Sequence, residues 1–307
     1  MGIVRTVRER LEAPTEIFIA EMGAKKKGDI KEICDIAAPD FGIITSVGPQ
    51  HLDTFGSIET VASTKFELAD SVKKKGGKVY LSTDNSYINE KSGEYDSVTY
   101  GTNSGSGYRA ENLSCGPTGT KFDVVYNDNR ITVSTKLLGM HNVINITGAV
   151  AIALELGIAE RDIIFAVSKL EQTEHRLQLK PFIKGATLID DAYNANPEGC
   201  MEAVRVLGSF DGMKKVIVTP GLVELGEREY QCNYDLGLQC TKYCDEIILV
   251  GKERSKPMTD AIATTDFDKN HVHVVASFKD AVAIMQNMLD SNYAVLFEND
   301  LPDNYAK

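Results

Sequence analysis

Acid, hydroxyl, imidazole and amine side chains recur in the first third of the chain where apolar runs end. Glu21 closes EIFIAE (16–21); Thr45 and Ser46 fall near the end of FGIITSV (41–47), and GPQH leads on to His51. In an open α/β sheet, ligands bind beyond the carboxyl ends of the strands. A carboxylate and an imidazole at such an edge are groups that hold cations and move protons. Each residue alone reads as a turn or cap; the functional case is their shared edge. Lys65 stands out differently. Ile58, Val61, Ala62 and Lys65 follow the i, i+3, i+4, i+7 spacing of one helical face. A lysine on an inward stripe costs desolvation. It either snorkels to the helix end or has a lowered pKa, and is then available as a neutral amine for covalent chemistry. In the second half Asp190 and Asp191 end the apolar run ATLIDD, and Pro220-Gly221 and Val250-Gly251 end two more.

Other chemistries find no motif. A Walker A loop needs G-x-x-x-x-G-K-[ST]. Gly77-Lys78 is followed by Val79 and Gly251-Lys252 by Glu253, and neither has glycine in the first position. No G-x-G-x-x-G follows a strand, and GTNSGSG (101–107) reads as a loop. The six cysteines lack the spacing of a zinc ribbon or redox pair, and Cys240 and Cys244 lie four apart in a helical pattern. Scattered buried thiols fit better than a disulfide framework. His271 and His273 alternate with Val272 and Val274 as on one face of a short strand, a surface or structural pair rather than a metal site.

The elements that position these residues follow from periodicity. Helices are expected over 28–38, 57–72, 141–157 and 160–171, and strands over 16–21, 41–47 and 78–82. Between 97 and 137 short β-rich runs, with a turn at 127–129, suggest a small antiparallel insert or sheet extension. From 186 onward strand and helix alternate to the end. Such alternation argues for parallel sheets covered by helices, an α/β class. With 307 residues, two domains are expected, joined near 173–180. A net charge of −11 argues against a nucleic-acid partner. No apolar run has the length of a membrane span and the charged N-terminus lacks a signal core, so a cytoplasmic protein is expected.

The ordered set EMGA (21–24), GIITSVGPQHLDTFGS (42–57), Lys65, GMHNVIN (139–145), EHRLQ (174–178) and IDDAYNANP (189–197) resembles the Mur ligases of peptidoglycan synthesis. VTPGLVELGERE (218–229) and FENDLPDNY (297–305) resemble the class that adds D-alanyl-D-alanine to UDP-N-acetylmuramoyl-tripeptide. The resemblance implies a central ATPase domain over 1–175, mostly parallel with a small antiparallel part. It implies a Rossmann-like C-terminal domain over 176–307. It also implies that the family's first domain, and the strand, P-loop and helix that open the central one, are not in this sequence. ATP would phosphorylate the peptide carboxylate, and the dipeptide amine would attack the acyl phosphate. Glu21, His51 and a carbamylated Lys65 correspond to ligands of magnesium, with His51 and Lys65 serving catalysis. Arg176 corresponds to an arginine that reaches the γ-phosphate. Asn142 and Asn145 correspond to adenine-recognition residues, Asp191 and Tyr193 to positions near ribose and base. Asn194, Asn196 and Glu224 fall on the acceptor side. Two partners are then expected for the protein itself: a separate N-terminal segment, or a second copy meeting apolar surface. The alternative is an inactive fragment or scaffold with weak adenine-nucleotide binding.

Overall fold

The computed structural model describes residues 2–48, 52–193 and 196–299. The first part contains α1 (Gly2–Glu9), α2 (Asp29–Ala37), β1 (Phe41–Ile44), α3 (Leu52–Phe55), α4 (Ile58–Lys74), β2 (Lys78–Ser82), α5 (Ser86–Lys91) and β3 (Ser97–Gly101). Then come β4 (Tyr108–Gly116), β5 (Gly119–Tyr126) and β6 (Asn129–Thr135). The six strands form one sheet in sequential order, with β1 to β4 paired in parallel. The 97–137 region is therefore an extension of this sheet. Asn127 (φ 43°) and Asp128 (φ 62°) make the turn between β5 and β6, the left-handed pair that a tight hairpin requires.

Local chemistry explains α4. Ser57 caps it by accepting the Thr60 amide, Glu59 lies in its first turn, and Lys73 and Lys74 lie in its last, matching the helix dipole at both ends. Its buried stripe of Val61, Ala62, Phe66, Ala69 and Val72 packs with Ile44, Val79 and Leu81 of the sheet. Ile43 and Tyr100 point to the opposite face, where a Cβ on Gly148 would lie 2.8 Å from both.

One expected strand does not form. Residues 16–21 are extended without strand pairing, and Ile17 and Ile19 are 59% and 89% exposed. A strand is defined by a neighbour that takes its amides and carbonyls. Among the described residues β1 pairs with β2 alone, and the apolar run EIFIAE does not join its free edge.

The chain continues with α6 (Met140–Glu155), α7 (Glu160–Ser168), β7 (Gln178–Pro181), β8 (Thr187–Asp191), α8 (Pro197–Gly208) and β9 (Lys214–Thr219). It ends with α9 (Glu229–Tyr243), β10 (Glu246–Val250), α10 (Lys256–Ile262), β11 (Val272–Val275), α11 (Phe278–Met288) and β12 (Tyr293–Glu298). The second sheet has the order β11-β10-β9-β12-β8-β7. It is parallel except for β7, an antiparallel edge. Alternate residues feed two cores. Ile189, Ile217, Leu249 and Leu296 face α8 and α9; Leu188, Val216, Ile248 and Val295 face α11. Burying each such side chain contributes about 1.5–3 kcal/mol, which is why these strands read as continuous apolar runs. β12 inserts between β9 and β8, so the strand order reverses there, and the crevice at such a reversal is where α/β sheets bind ligands.

Contacts divide the chain into two compact units that interleave along the sequence. One comprises 1–111, 123–132 and 144–163; the other comprises 112–122, 133–143 and 164–307. No described helix is long and apolar enough to cross a membrane.

Candidate functional site

In the first unit, Lys65 leans from α4 toward the carboxyl end of β1. Its Nζ donates to the Ser46 carbonyl at 2.8 Å. Burial lowers its pKa, because the charged form loses water that one carbonyl only partly replaces. The lysine is thus half-buried and directed at the strand end, and does not extend into bulk solvent. Asn85 supports the same segment by donating to the Val47 carbonyl at 2.8 Å, while its Oδ1 accepts the Ile88 amide to cap α5. Nothing in the sequence marked Asn85 apart from other helix caps.

Glu21 is exposed on the unpaired 16–21 segment, so it does not end a strand as expected. His51 lies outside the described residues. Among the described residues, no three His, Cys, Asp or Glu side chains converge as a metal site. A carboxylate such as Glu21 can accept at a magnesium ion, whereas an ammonium donates where a metal ligand must accept, so Lys65 fits such an ion only after modification.

The second unit builds a denser cluster at the carboxyl end of β8. Asp190 is buried, and its Oδ2 accepts from Lys180 Nζ at 2.6 Å and pairs with His175 Nδ1 at 2.9 Å. Its neighbour Asp191 accepts the Leu177 amide at 2.9 Å. Burial raises the Asp191 pKa, and that amide bond opposes the rise. Between these anchors, Arg176 lies over the Tyr193 ring at 5.4 Å, a cation–π contact, and the Tyr193 amide donates to the His175 carbonyl at 3.2 Å. Tyr193 remains 61% exposed, leaving aromatic surface for a planar ligand. His141, near the start of α6, interacts with Asp191, Arg176 and Glu202, and burial holds its pKa below the usual value.

Arg176, Asp191 and Tyr193 are therefore brought together. Asn142 and Asn145 sit three apart on α6. Asn142 donates to the Leu138 carbonyl at 2.8 Å and contacts the His141 ring, and Asn145 is exposed. Asn196 accepts the Gly199 amide at 2.9 Å as the N-cap of α8, with Pro197 behind it. Asn194 lies outside the described residues. Glu224 is exposed, with a left-handed φ of 62°, in the loop after β9. That loop is clamped by buried Asn233, whose Oδ1 accepts the Leu222 amide at 2.8 Å and whose Nδ2 donates to the Leu222 carbonyl at 2.9 Å. A cleft of about 330 Å³ beside it is lined by Leu222, Tyr230, Asn233, Glu253 and Arg254. The sequence showed α9 only as a helix, so Asn233 carried no signal.

Residues 1–153 match the family described as Mur ligase middle domain, and residues 175–298 match the Mur ligase, glutamate ligase domain. The UDP-N-acetylmuramoyl-tripeptide–D-alanyl-D-alanine ligase of Bacillus subtilis is 30% identical over 286 residues, covering 92% of this chain and 61% of that protein. The ligase of the same name from Haemophilus influenzae is 23% identical over 296 residues, covering 94% and 62%. The chain thus spans less than two thirds of the length of these relatives. Among solved structures, the MurF ligase of Thermotoga maritima in complex with ADP superposes with a TM-score of 0.76 at 22% identity, covering 97% of this chain and 67% of that one. MurF from Acinetobacter baumannii gives 0.75 at 23%, covering 97% and 65%. At these identities, the likeness to the two structures speaks to the fold.

Proposed function

Because the chain belongs to the Mur ligase family, we propose that it carries the ATPase and C-terminal parts of a peptide ligase, with domains at 1–175 and 176–307. The reaction is the joining of D-alanyl-D-alanine to UDP-N-acetylmuramoyl-tripeptide through an acyl phosphate, the activity for which the Bacillus subtilis relative is named. The observation that supports it is the cluster beyond β8, where Arg176, Tyr193 and Asp191 meet at a strand-order reversal. Tyr193 offers a face to a base, Asp191 an acceptor to a ribose hydroxyl, and Arg176 a fixed charge to a phosphoryl group. Asn142 and Asn145 add amides suited to an adenine edge. ATP supplies the activation of the carboxylate. Positioning and charge neutralisation carry most of the catalysis in such transfers.

Lys65, once carbamylated, would help to hold a magnesium ion. Addition of carbon dioxide to its neutral amine, with one proton passing to solvent, would turn a donor into an oxygen ligand, and the lowered pKa favours that amine. His51 and Glu21 complete the proposed ligand set. Glu224, Asn194, Asn196 and the cleft beside Asn233 form the acceptor side.

The test is amide formation from the two substrates with ATP and magnesium. The chain is assayed alone and with the N-terminal segment of a relative supplied in trans. Phosphate release that depends on both substrates and on the added segment, and that is lost in Arg176→Ala, is the expected result. A second reading, adenine-nucleotide binding without turnover, is favoured by the exposed Tyr193 face held beside Arg176. Nucleotide binding with no product in either assay selects it. Turnover by the chain alone would show that the added segment is not required.

A further inference from the structure

β8 and β12 run parallel and in register, so Asp191 and Glu298 end side by side. Glu298 is 1% exposed, and neither of its carboxyl oxygens has a hydrogen-bond partner in the structure. A buried acid left in that state is costly, and an apolar residue would fill the place more cheaply. The groups around it are few. From β8 comes the Asp191 carboxyl, from the first turn of α8 the Cys200 thiol, and from α9 Cys240. Asp191 also faces Asp190 and His141.

Two carboxylates meeting at a buried strand end cannot both keep their charge cheaply, so one proton is held between them. Burial accordingly pushes Glu298 well above the usual carboxylate range, and Asp191 is raised too. The shared proton places a donor between the carboxyls of Glu298 and Asp191. It leaves Asp191 Oδ1 for the Leu177 amide. That amide belongs to a turn in which His175 (φ 56°) and Leu177 (φ 46°) both occupy the left-handed region. Non-glycine residues persist there only where surrounding bonds over-determine them. Arg176 is the residue between.

We propose that Glu298 is a positioning residue: acting through Asp191, it fixes the 175–177 turn and thereby aims Arg176 across Tyr193. Its consequence for phosphoryl transfer rests on the ligase reading above; the coupling itself lies within this chain and is measurable without substrate.

The experiment follows the backbone amide of Leu177 and the Arg176 Nε–H by ¹⁵N NMR against pH in the wild-type chain, Glu298→Gln and Glu298→Leu. In the wild type, the Leu177 shift should titrate with an inflection above the ordinary carboxylate range. Glu298→Gln keeps a neutral donor, so both signals should stay near their wild-type positions while the inflection moves down toward that range. Glu298→Leu removes the donor, so both signals should move, and Leu177 amide exchange should quicken about tenfold as the turn opens locally. If Leu177 titrates identically in wild type and Glu298→Gln, the proposal is wrong. The same holds if neither signal moves in Glu298→Leu. Should the leucine variant fail to fold, the glutamine comparison decides alone. A chain that shows these shifts but lacks ligase turnover keeps the coupling and loses only the ligase reading.

Discussion

The two units hold their chemistry-bearing residues in different ways. Beyond β1, Lys65 has one carbonyl to hold it, and Glu21 lies exposed on an unpaired segment. Beyond β8, two aspartates bind a lysine, a histidine and a backbone amide, and a third buried acid stands behind them. The second sheet has β8 paired on both sides and dense apolar cores on both faces. A strand end fixed in that way can hold charges at set distances. The lesson is that residue type alone does not make a site; the rigidity of the element behind it decides whether the groups converge.

The largest test of this contrast is Phe66→Ala, which empties the centre of the α4 core. A loss of about 3–5 kcal/mol is expected. If the units unfold separately, a thermal melt should split into two steps, with only the first displaced. A single step moving as a whole would show that the two regions stabilise one another.

Asp191→Ala should cost about 1–3 kcal/mol, since it strips the Leu177 amide of its acceptor. It should also weaken adenosine or ADP binding measured by calorimetry. Unchanged nucleotide affinity would remove the second region from the nucleotide site. Lys65→Met makes the converse point. Its single bond to a carbonyl implies a stability change of no more than about 1 kcal/mol, so any large loss of ligation in the reconstituted assay must come from chemistry. A large fall in melting temperature would mean that Lys65 is chiefly structural.

The remaining effects are in pH. Glu298 has a folded pKa raised above its ordinary 4.5, so the folded chain binds the extra proton. Stability is full below that value and declines as pH rises through the folded pKa; Glu298→Gln should flatten the decline. His271 sits far from that cluster, paired with Glu246 at 2.6 Å, and the pairing raises its pKa above 6.5. His273 also reaches Glu246 at 3.1 Å. The contribution of His271 is complete below 6.5 and fades as pH rises through the folded value. It should vanish in Glu246→Gln, with the His271 proton resonances titrating at an ordinary position. An unaltered titration would show that the pair exerts no hold.

How much of this was legible depended on range. The α4 stripe and the turn at 127–129 were readable because each is set by neighbours within a few residues. Arg176, Asp191 and Tyr193 were named through family resemblance, and their convergence lies in one unit over a short span. Edge strand β7 was missed because QLKP has neither alternation nor an apolar run; it pairs with β8 for its backbone bonds. The strand expected at 16–21 failed for the opposite reason, having the composition without a partner.

The sequence by itself therefore determined the longer helices, most buried strands and the types of group at their ends, since periodicity and turn residues act locally. The tertiary structure alone decided which of those groups meet. Glu298 reads as an ordinary acid after an apolar run, and becomes a buried partner of Asp191 only because β12 inserts beside β8 in register. Lys65 reads equally as snorkelling or inward, and the position of β1 settles that its amine meets the Ser46 carbonyl. Strand order and register are set by packing between segments far apart in the chain, and no local pattern encodes that choice.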